Sequence, residues 1–342
     1  MELVTEPVIT SSIEAKKFAE ELQLIFRYLG VSEANMEKGQ MRCEANISMM
    51  EEDAKEFGTK VEIKNLNSFK ALEKGIEYEI KRQTKILEDG GVVIQETRGW
   101  HDDKEITFSQ RKKEEAHDYR YLPEPDLPEM LISNELIDDI KSEMPELPEA
   151  KRIRFKEEFN ISEDSIEALV NNKALGGYFE KVVSELLMWI KEEKLKVSED
   201  KIDDLIKLVS NYLIGGLTGL LKDFSIELDD CKITQENFAE FIVLIFEGKI
   251  TSKTAKDVLK IMFEDGSDPS NIIESKGLAQ TSDEGEIGAF ANQVLSENPD
   301  AVAEFKKGKE TVIMFLVGKV LALSKGKANP QVVKDLLLER LK

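Results

Sequence analysis

The chain has 342 residues, 41% of them hydrophobic, and carries a formal net charge of −21. This composition is typical of a globular protein, and the charge argues against a surface that binds polyanions throughout. No apolar run approaches the roughly 20 residues of a membrane span, and the opening MELVTEPVIT lacks the basic and apolar regions of a signal peptide. Cys43 and Cys231 lie far apart outside any CxxC motif, so we expect free thiols in a reducing cytoplasm.

The first 30 residues are predicted to form a strand and then a helix. The segment from Met1 is expected to be extended from its first residues, with no flexible leader before the fold. Residues 12–29 have helical periodicity, with Ser11 or Ser12 as the N-cap and Gly30 as the terminator. The stripe predicted to face the core is Ile13, Phe18, Leu22, Ile25 and Leu29.

Two alternating segments, 41–49 and 59–65, are expected to pair as a β-hairpin with one apolar and one polar face. The polar face carries Arg42, Glu44, Asn46, Ser48, Lys60, Glu62 and Lys64. This layer is either a set of cross-strand ion pairs on a solvated sheet or the floor of a metal–nucleotide site. In the second case carboxylates bind Mg²⁺ and lysines neutralise phosphate, and Glu2 and Glu6 can add further acids.

A second helix is predicted over 69–88, capped by Asn67 or Ser68 and stopped by Gly90-Gly91. Its inward residues are expected to be Phe69, Leu72, Ile76, Ile80 and Leu87. Strands are predicted at 92–97 and 106–111, joined by RGWHDDKE. The stretch KEEAHDYRYLPEPDLPEM follows (113–130), and its prolines predict a stiff, extended boundary.

Beyond residue 144 the sequence is typical of helices, with almost no period-2 alternation. The predicted helices are 148–159, 163–170, 176–194, 199–222, 234–247, 251–264, 285–296, 299–306, 309–324 and 330–341. The chain is therefore predicted to be α+β, with a strand-containing domain followed by an all-helical half. The segment 262–272 is a plausible joint within that half.

The C-terminal segment is basic on an otherwise acidic chain. Residues 306–342 contain nine Lys and Arg against three acids, a net charge of +6 that leaves −27 for the rest. This is either a solvated helical surface or the surface that nucleic acid meets first. The chain has neither a P-loop nor a GxGxxG string, so any nucleotide site is of another type.

Several unusual strings occur in a fixed order. They are ELVTEP (2–7), YLGVSEANMEKGQMRCEANIS (28–48), GTKVEIKNLNSF (58–69), QETRGW (95–100), HDYRYLPEPDLP (117–128), FLVGKV (315–320) and KGKANPQ (325–331). Together they closely resemble the B subunit of the tRNA-dependent aspartyl/glutamyl amidotransferases. The resemblance runs through essentially the whole chain, and its most specific strings lie in residues 2–128.

The resemblance implies a mixed-sheet, kinase-like cradle domain, a helical domain and a YqeY-like helical tail that contacts tRNA. We expect the boundaries 1–143, 144–276 and 277–342. It also implies a cytoplasmic ligase that uses ATP and Mg²⁺ to phosphorylate the side-chain carboxylate of Glu-tRNA(Gln) or Asp-tRNA(Asn). Ammonia from glutamine, released by the A subunit, an amidase, then displaces phosphate. The small C subunit makes the complex a heterotrimer.

Site residues carry over from the matching strings as expectations. The catalytic residues are Glu44, Glu62, Asp118 and Arg120. The nucleotide-binding residues are Lys60, Lys64, Arg42, Asn46 and Asn65, and the metal ligands are Glu2, Glu6 and Glu44. The tRNA-binding residues are Lys309, Lys319, Lys325 and Lys327, and tRNA contacts of this kind weaken with salt.

Two departures from the family pattern affect these expectations. Glu44 stands where the family string has Asp, which moves the carboxylate by about one methylene. The family also carries a segment ahead of ELVTEP with a Gly-Leu-Glu-Val-His string, so we expect this chain to be a fragment with little or no kinase activity alone. The alternatives are a non-catalytic tRNA-binding scaffold and a generic acidic helical adaptor, which does not explain the strings.

Overall fold

A computed structural model describes residues 1–112, 123–279, 284–306, 308–309, 311–324 and 328–341. The chain divides into two compact units, Met1–Ala150 and Lys151–Lys342. Strands and helices mix in the first unit and the second is helical, which confirms the predicted α+β class. Within the described ranges, no helix is both long and apolar enough to cross a membrane.

The first unit contains a mixed four-stranded sheet. Its elements are α1 (Ser12–Leu29), β1 (Cys43–Ile47), β2 (Val61–Leu66), α2 (Phe69–Glu88), β3 (Glu96–His101), β4 (Ile106–Lys112) and α3 (Asn134–Glu143). The strand order is β1-β2-β3-β4. The outer pairs are antiparallel, which confirms the predicted hairpin, whereas β2 and β3 are parallel because α2 carries the chain back across the sheet.

Helices α1 and α2 cover one face of this sheet, and both begin as predicted. The Ser11 hydroxyl accepts a hydrogen bond from Glu14 N–H, and Ser68 accepts one from Ala71 N–H, so each serine satisfies a backbone donor of the first turn. Gly30 closes α1 in the left-handed region with φ 69°. The core beneath them is formed by Ala15, Ala19, Ala45, Ile63, Leu66, Ala71, Leu72, Ile76 and Trp100.

The predicted inward stripe of α1 is wrong. Ile13 and Phe18 are exposed, whereas Ala15 and Ala19 are buried. The small side chains let α1 approach α2 closely, so the packing partner, and not the size of the apolar residues, selects the buried face. At the end of α2, Leu87 is likewise exposed, because the helix extends beyond the sheet-facing residues of its first four turns.

The predicted opening strand is also wrong. Met1–Thr5 form no strand, and Leu3 and Val4 are exposed, because none of the described strands lies alongside to pair with their backbone. β3 begins later than predicted, at Glu96. Val92 and Ile94 suggested a strand but are exposed.

β3 starts late because Trp100, which was predicted to lie in a loop, is the residue that packs on the core. Trp100 is 5% exposed, and a Cβ placed on Gly75 of α2 would lie 3.6 Å from its ring. The indole N–H donates to Asp102 Oδ1 at 2.6 Å, and Asp102 begins the turn into β4. The strand therefore extends to His101, and only residues 102–105 form the connection.

The helices from residue 148 onward agree closely with the predicted ones. They are α4 (Pro148–Phe159), α5 (Glu163–Val170), α6 (Lys173–Lys191), α7 (Glu199–Asn211), α8 (Thr218–Phe224), α9 (Gln235–Phe246), α10 (Ser252–Asp265), α11 (Pro269–Lys276), α12 (Glu284–Glu297), α13 (Pro299–Lys306), α14 (Val312–Leu323) and α15 (Pro330–Leu341). The predicted helix 199–222 is interrupted by a π-helical turn, Tyr212–Leu217. α11, half of which falls within the segment interpreted as a joint, was not predicted as a helix, and neither was α3, which has no buried residue.

Aromatic contacts pack the first helices of the second unit. Phe159 meets Phe155 and Phe179 edge-on, each at 5.2 Å between ring centroids. The Tyr178 hydroxyl donates to the Ile233 carbonyl at 3.1 Å, and burial raises the pKa of Tyr178, so it remains a donor at neutral pH. The last helices pack around their own cluster, Ile287, Ala291, Val294, Ile313, Leu316, Val317, Val320, Ala328, Val333, Leu337 and Leu341.

Candidate active site

Three neighbouring strands bring polar side chains to the face of the sheet opposite α1 and α2, called the open face below. β2 contributes Glu62 and Lys64, which alternate with the buried Val61 and Ile63 as predicted. β1 contributes Glu44 on the same side as Asn46, which pairs with Glu62 in register. In the parallel pairing Glu62 also lies beside Thr97 of β3, so the predicted polar layer extends one strand further than the hairpin.

The central contacts of the open face join one lysine to two carboxylates. Lys64 Nζ lies 3.1 Å from Glu44 Oε1 and 3.8 Å from Glu62 Oε1. The other oxygen of Glu62, Oε2, accepts a hydrogen bond from Thr97 Oγ1 at 2.7 Å. The Glu62 side chain is only 13% exposed, whereas Glu44 and Lys64 are 48% and 40% exposed. Glu62 is therefore held at a fixed orientation while its two neighbours remain accessible.

This arrangement suits a metal–phosphate complex chemically. Carboxylate oxygens are the protein ligands of hard cations such as Mg²⁺, which take substrate phosphates as further ligands. An ammonium group that lies between two such carboxylates can offset phosphate charge. The same distances are also those of cross-strand ion pairs on a solvated sheet. The roles of Glu44, Glu62 and Lys64 stay predictions.

Asn65 lies in a β-bulge next to this layer. Cys43 pairs with Leu66 and Ala45 with Ile63, so β2 has one more residue than β1 between these pairs. Asn65 takes the left-handed conformation, φ 65°, which asparagine adopts more readily than most residues. Bulges redirect side chains near functional sites. Asn65 is exposed, as are the other predicted nucleotide-binding residues of the hairpin, Arg42, Asn46 and Lys60.

Sequence reasoning gave no role to two residues of β3 that shape the open face. Thr97 and Gly99 lie within the QETRGW string, but their neighbours depend on the parallel pairing with β2, which residue spacing does not reveal. Gly99 lies beside Lys64 in register. A Cβ there would approach Gln110 Nε2 to 2.4 Å and Phe108 Cζ to 2.8 Å. A larger residue at this position would therefore have to displace the side chains of Gln110 and Phe108 that lie over this part of β3.

On the opposite face of the sheet, a buried polar network ties β3 to α2. Glu79 is fully buried, and it accepts hydrogen bonds from Arg82 Nε at 2.7 Å and from Thr107 Oγ1 at 2.9 Å. Arg98 Nε donates to Thr107 Oγ1 at 2.8 Å, and its Nη1 donates to Glu96 at 2.5 Å. Consecutive side chains of β3 thus lie on opposite faces of the sheet. Arg98 joins the network with α2, whereas Thr97 donates a hydrogen bond to Glu62 on the open face.

The network also lowers the pKa of Glu96. Burial opposes ionisation, but hydrogen bonds from Ser109 and Arg98 and the charges of Arg98 and Arg82 outweigh it, so the pKa of Glu96 lies below its ordinary value. Gln83 donates to Glu79 and to the Ile47 carbonyl, both at 3.3 Å. Its Oε1 is buried and has no hydrogen-bond partner among the described residues.

The predicted metal set is not assembled in the part of the chain that the structure describes. Glu2 and Glu6 lie on the exposed first segment, and no group of three or more His, Cys, Asp or Glu side chains is placed to hold a metal ion there. Metal binding by Glu2, Glu6 and Glu44 stays a prediction. Asp118 and Arg120 lie outside the described residues.

Two of the four predicted tRNA-binding lysines are described. Lys309 pairs with Glu304 at 2.9 Å, and Lys319 Nζ lies 5.4 Å from the centroid of the Phe315 ring. Lys325 and Lys327 fall outside the described residues. Both cysteines are free, as predicted, and both are half-buried. Burial raises the pKa of each thiol, which disfavours the reactive thiolate.

Comparison with known proteins agrees with the division of the chain. A family model described as the GatB/GatE catalytic domain matches residues 1–138, which include the sheet and its open face. A second, described as the GatB domain, matches residues 192–341. The first match does not favour the scaffold alternative.

Similar proteins span the whole chain. The B subunit of aspartyl/glutamyl-tRNA(Asn/Gln) amidotransferase from Carboxydothermus hydrogenoformans is 42% identical over 341 residues, which cover 100% of this chain and 67% of the relative. The proteins of that name from Persephonella marina and Dehalococcoides mccartyi are both 43% identical, with 100% of this chain and 69% and 68% of the relatives covered. The chain thus belongs to the B-subunit family of the aspartyl/glutamyl-tRNA amidotransferases.

Proposed function

We propose that the chain acts as the B subunit of an amidotransferase, a ligase that converts Glu-tRNA(Gln) or Asp-tRNA(Asn) to the amidated form. The observation that carries this proposal is the 42–43% identity along the entire chain to proteins that bear that name. The catalytic-domain match adds support, since it covers the unit that carries the open face.

The reaction has two parts, and we assign the first to the open face. The side-chain carboxylate of the tRNA-bound amino acid attacks the γ-phosphorus of ATP, which gives an acyl phosphate and ADP. Ammonia, released from glutamine by the amidase, then attacks the acyl carbon and expels phosphate to leave the amide. Bound Mg²⁺ would supply charge neutralisation on the phosphates.

The residues of the open face fit this chemistry. Glu62 offers a buried, oriented carboxylate and Glu44 an accessible one, so both can act on the metal side of the site. Lys64 lies between them and can offset phosphate charge as the two anions approach. Further phosphate or substrate contacts are assigned to Arg42, Asn46, Lys60, Asn65, Asp118 and Arg120.

The partners follow from the same proposal. The A subunit, which is the amidase, together with the small C subunit would complete a cytoplasmic heterotrimer, and the basic tail would bind tRNA. The tail is assigned Lys309, Lys319, Lys325 and Lys327. Such contacts recognise the shape and charge of tRNA more than its base sequence.

Two measurements test the assignment of the open face. Glu62→Gln and Lys64→Met are expected to weaken Mg²⁺-dependent binding of a fluorescent ATP analogue by at least about tenfold, since each removes a charged contact. In the complex with the amidase and the small partner, they should also reduce tRNA-dependent ADP formation. Lys70→Met is a matched control, because Lys70 is an exposed lysine on α2. Unchanged binding and turnover in both variants would refute the site.

The isolated chain is a separate test, because we expect it to have little or no kinase activity. Incubation of the chain alone with ATP, Mg²⁺ and Glu-tRNA(Gln) should release no ADP above the level without tRNA. Phosphorylation of the substrate by the isolated chain would contradict that expectation while supporting the site.

A further inference from the structure

Helix α14 presents an apolar face to solvent, called the α14 outer face below. The exposed positions follow one side of the helix: Met314, Phe315, Gly318, Lys319, Ala322 and Leu323. Met314 is 62% exposed and Phe315 50% exposed. Phe315 and Leu323 lie outside the packed face of the helix, which is formed by Ile313, Leu316, Val317 and Val320.

The packing of the buried side of α14 does not explain why the α14 outer face is apolar. Leu316 and Val320 are fully buried against the cluster formed with α12 and α15. A helix that needs only one buried face normally carries polar residues on the other. In α14 the only charged residue is Lys319. The outer face therefore has the composition of a contact surface.

The α14 outer face leaves the helix backbone accessible at Gly318. Gly318 has no side chain, and apart from its chain neighbours and the backbone of α14 itself, no described atom lies within 4 Å of the position of a Cβ there. Phe315 and Lys319 flank this glycine, with Lys319 Nζ 5.4 Å from the Phe315 ring centroid. A ligand can thus reach the helix backbone at Gly318 and meet an aromatic ring with a cation near one of its faces.

Charge indicates what that ligand is. Residues 306–342 carry a net charge of +6, on a chain whose other residues sum to −27. A polyanion is attracted to this segment and repelled by the remainder. Unpaired RNA bases stack on exposed aromatic side chains, and the adjoining phosphates take lysine. An acidic protein partner would also satisfy the charge, and the variants described below distinguish it from a stacked base.

We propose that the α14 outer face binds an unpaired nucleotide of tRNA, with the base stacked on Phe315 and the adjoining phosphate at Lys319. This rests on the proposed function, which supplies tRNA as the ligand, and adds to it a stacking contact that lysines alone do not provide. Gly318 then serves to admit the sugar-phosphate backbone.

The test separates stacking from simple apolar contact. Fluorescence anisotropy of labelled tRNA(Gln) with the full chain should show that Phe315→Tyr binds like the unsubstituted protein, whereas Phe315→Leu loses about tenfold in affinity. Phe224→Leu is the matched control, because Phe224 is similarly exposed in the same unit, at the end of α8. Its affinity should not change.

Two further variants use the same assay. Gly318→Ala should raise or maintain the thermal midpoint, since alanine favours a helix and its Cβ meets no described atom, yet it should weaken tRNA binding. Lys319→Met should make the dependence of log affinity on log salt less steep, by about one in the magnitude of the slope.

The outcomes distinguish this inference from the proposed function. If tRNA binds and the leucine and tyrosine variants at Phe315 bind equally well, stacking is refuted while tRNA binding stands. The α14 outer face would then be an apolar docking surface for protein. If the unsubstituted chain binds no tRNA at low salt, both the stacking contact and the tRNA-binding role of the tail are refuted.

Discussion

Replacement of Glu79 tests whether the buried polar network helps to hold β3 on α2, in addition to the apolar packing of α2 on the sheet. In Glu79→Ala, Arg82 and Thr107 lose their shared acceptor, and Arg98 Nε loses a carboxylate oxygen at 3.5 Å. Removal of one partner from a buried ion pair costs about 3–5 kcal/mol. Glu96 remains to pair with Arg98, so we expect about 3 kcal/mol. In Glu79→Gln, which keeps a neutral acceptor, we expect about 1 kcal/mol.

The assay uses the position of the two tryptophans. Trp100 lies in β3 beside the network, and Trp189 lies in α6 of the second unit, so a Trp189→Phe background reports on the first unit alone. With a urea m-value of about 2 kcal/mol/M, Glu79→Ala should lower the midpoint of the Trp100 transition by about 1.5 M.

A control on the same helix makes the result decisive. Glu73 pairs with Lys16 at 2.8 Å, but both side chains are partly exposed, and such pairs contribute about 0–1 kcal/mol. Glu73→Ala should therefore barely move the transition. If Glu79→Ala and Glu73→Ala shift the midpoint equally, the buried network does not stabilise the sheet.

Two other predictions concern Glu96 and Thr97. The folded pKa of Glu96 is depressed, so its contribution to stability is present above the unfolded value near 4.5 and is lost as pH falls through the lower folded value. Urea midpoints between pH 7 and pH 3 should therefore fall less steeply in Glu96→Gln than in the unsubstituted protein, and identical slopes would contradict the assignment. Thr97→Val should weaken Mg²⁺-dependent ATP-analogue binding about tenfold because Glu62 loses its hydrogen bond, whereas Thr97→Ser should retain it. Calorimetry that finds the two variants equal would show that Thr97 does not position Glu62.

Local signals were sufficient for much of the fold. Proline at the first position places the starts of α4 and α15 at Pro148 and Pro330, and strict alternation identifies the Glu62 and Lys64 face of β2. These features depend on neighbours in sequence, and the resemblance to the family added the order of the domains.

Long-range contacts account for what was missed. The choice of Ala15 over Ile13 in α1 depends on how closely α2 approaches, and the late start of β3 depends on where Trp100 meets Gly75. Thr97 joins the site only through a parallel strand pair that no spacing rule reveals. The sequence thus predicted the carboxylates and lysine of the open face, but not the threonine that orients one of them.

The crossover between β2 and β3 has a consequence for how the site forms as the chain folds. The hydrogen bond between Thr97 and Glu62 joins residues 35 apart, with the whole of α2 between them. The β1–β2 hairpin is a local structure that can form early, whereas the parallel pair must wait until α2 has docked. Glu44 and Lys64 can therefore meet in a nascent chain that still lacks an oriented Glu62. A folding intermediate of this kind would pair charges without presenting a complete site, so nucleotide binding should appear only with the last, slowest phase of refolding.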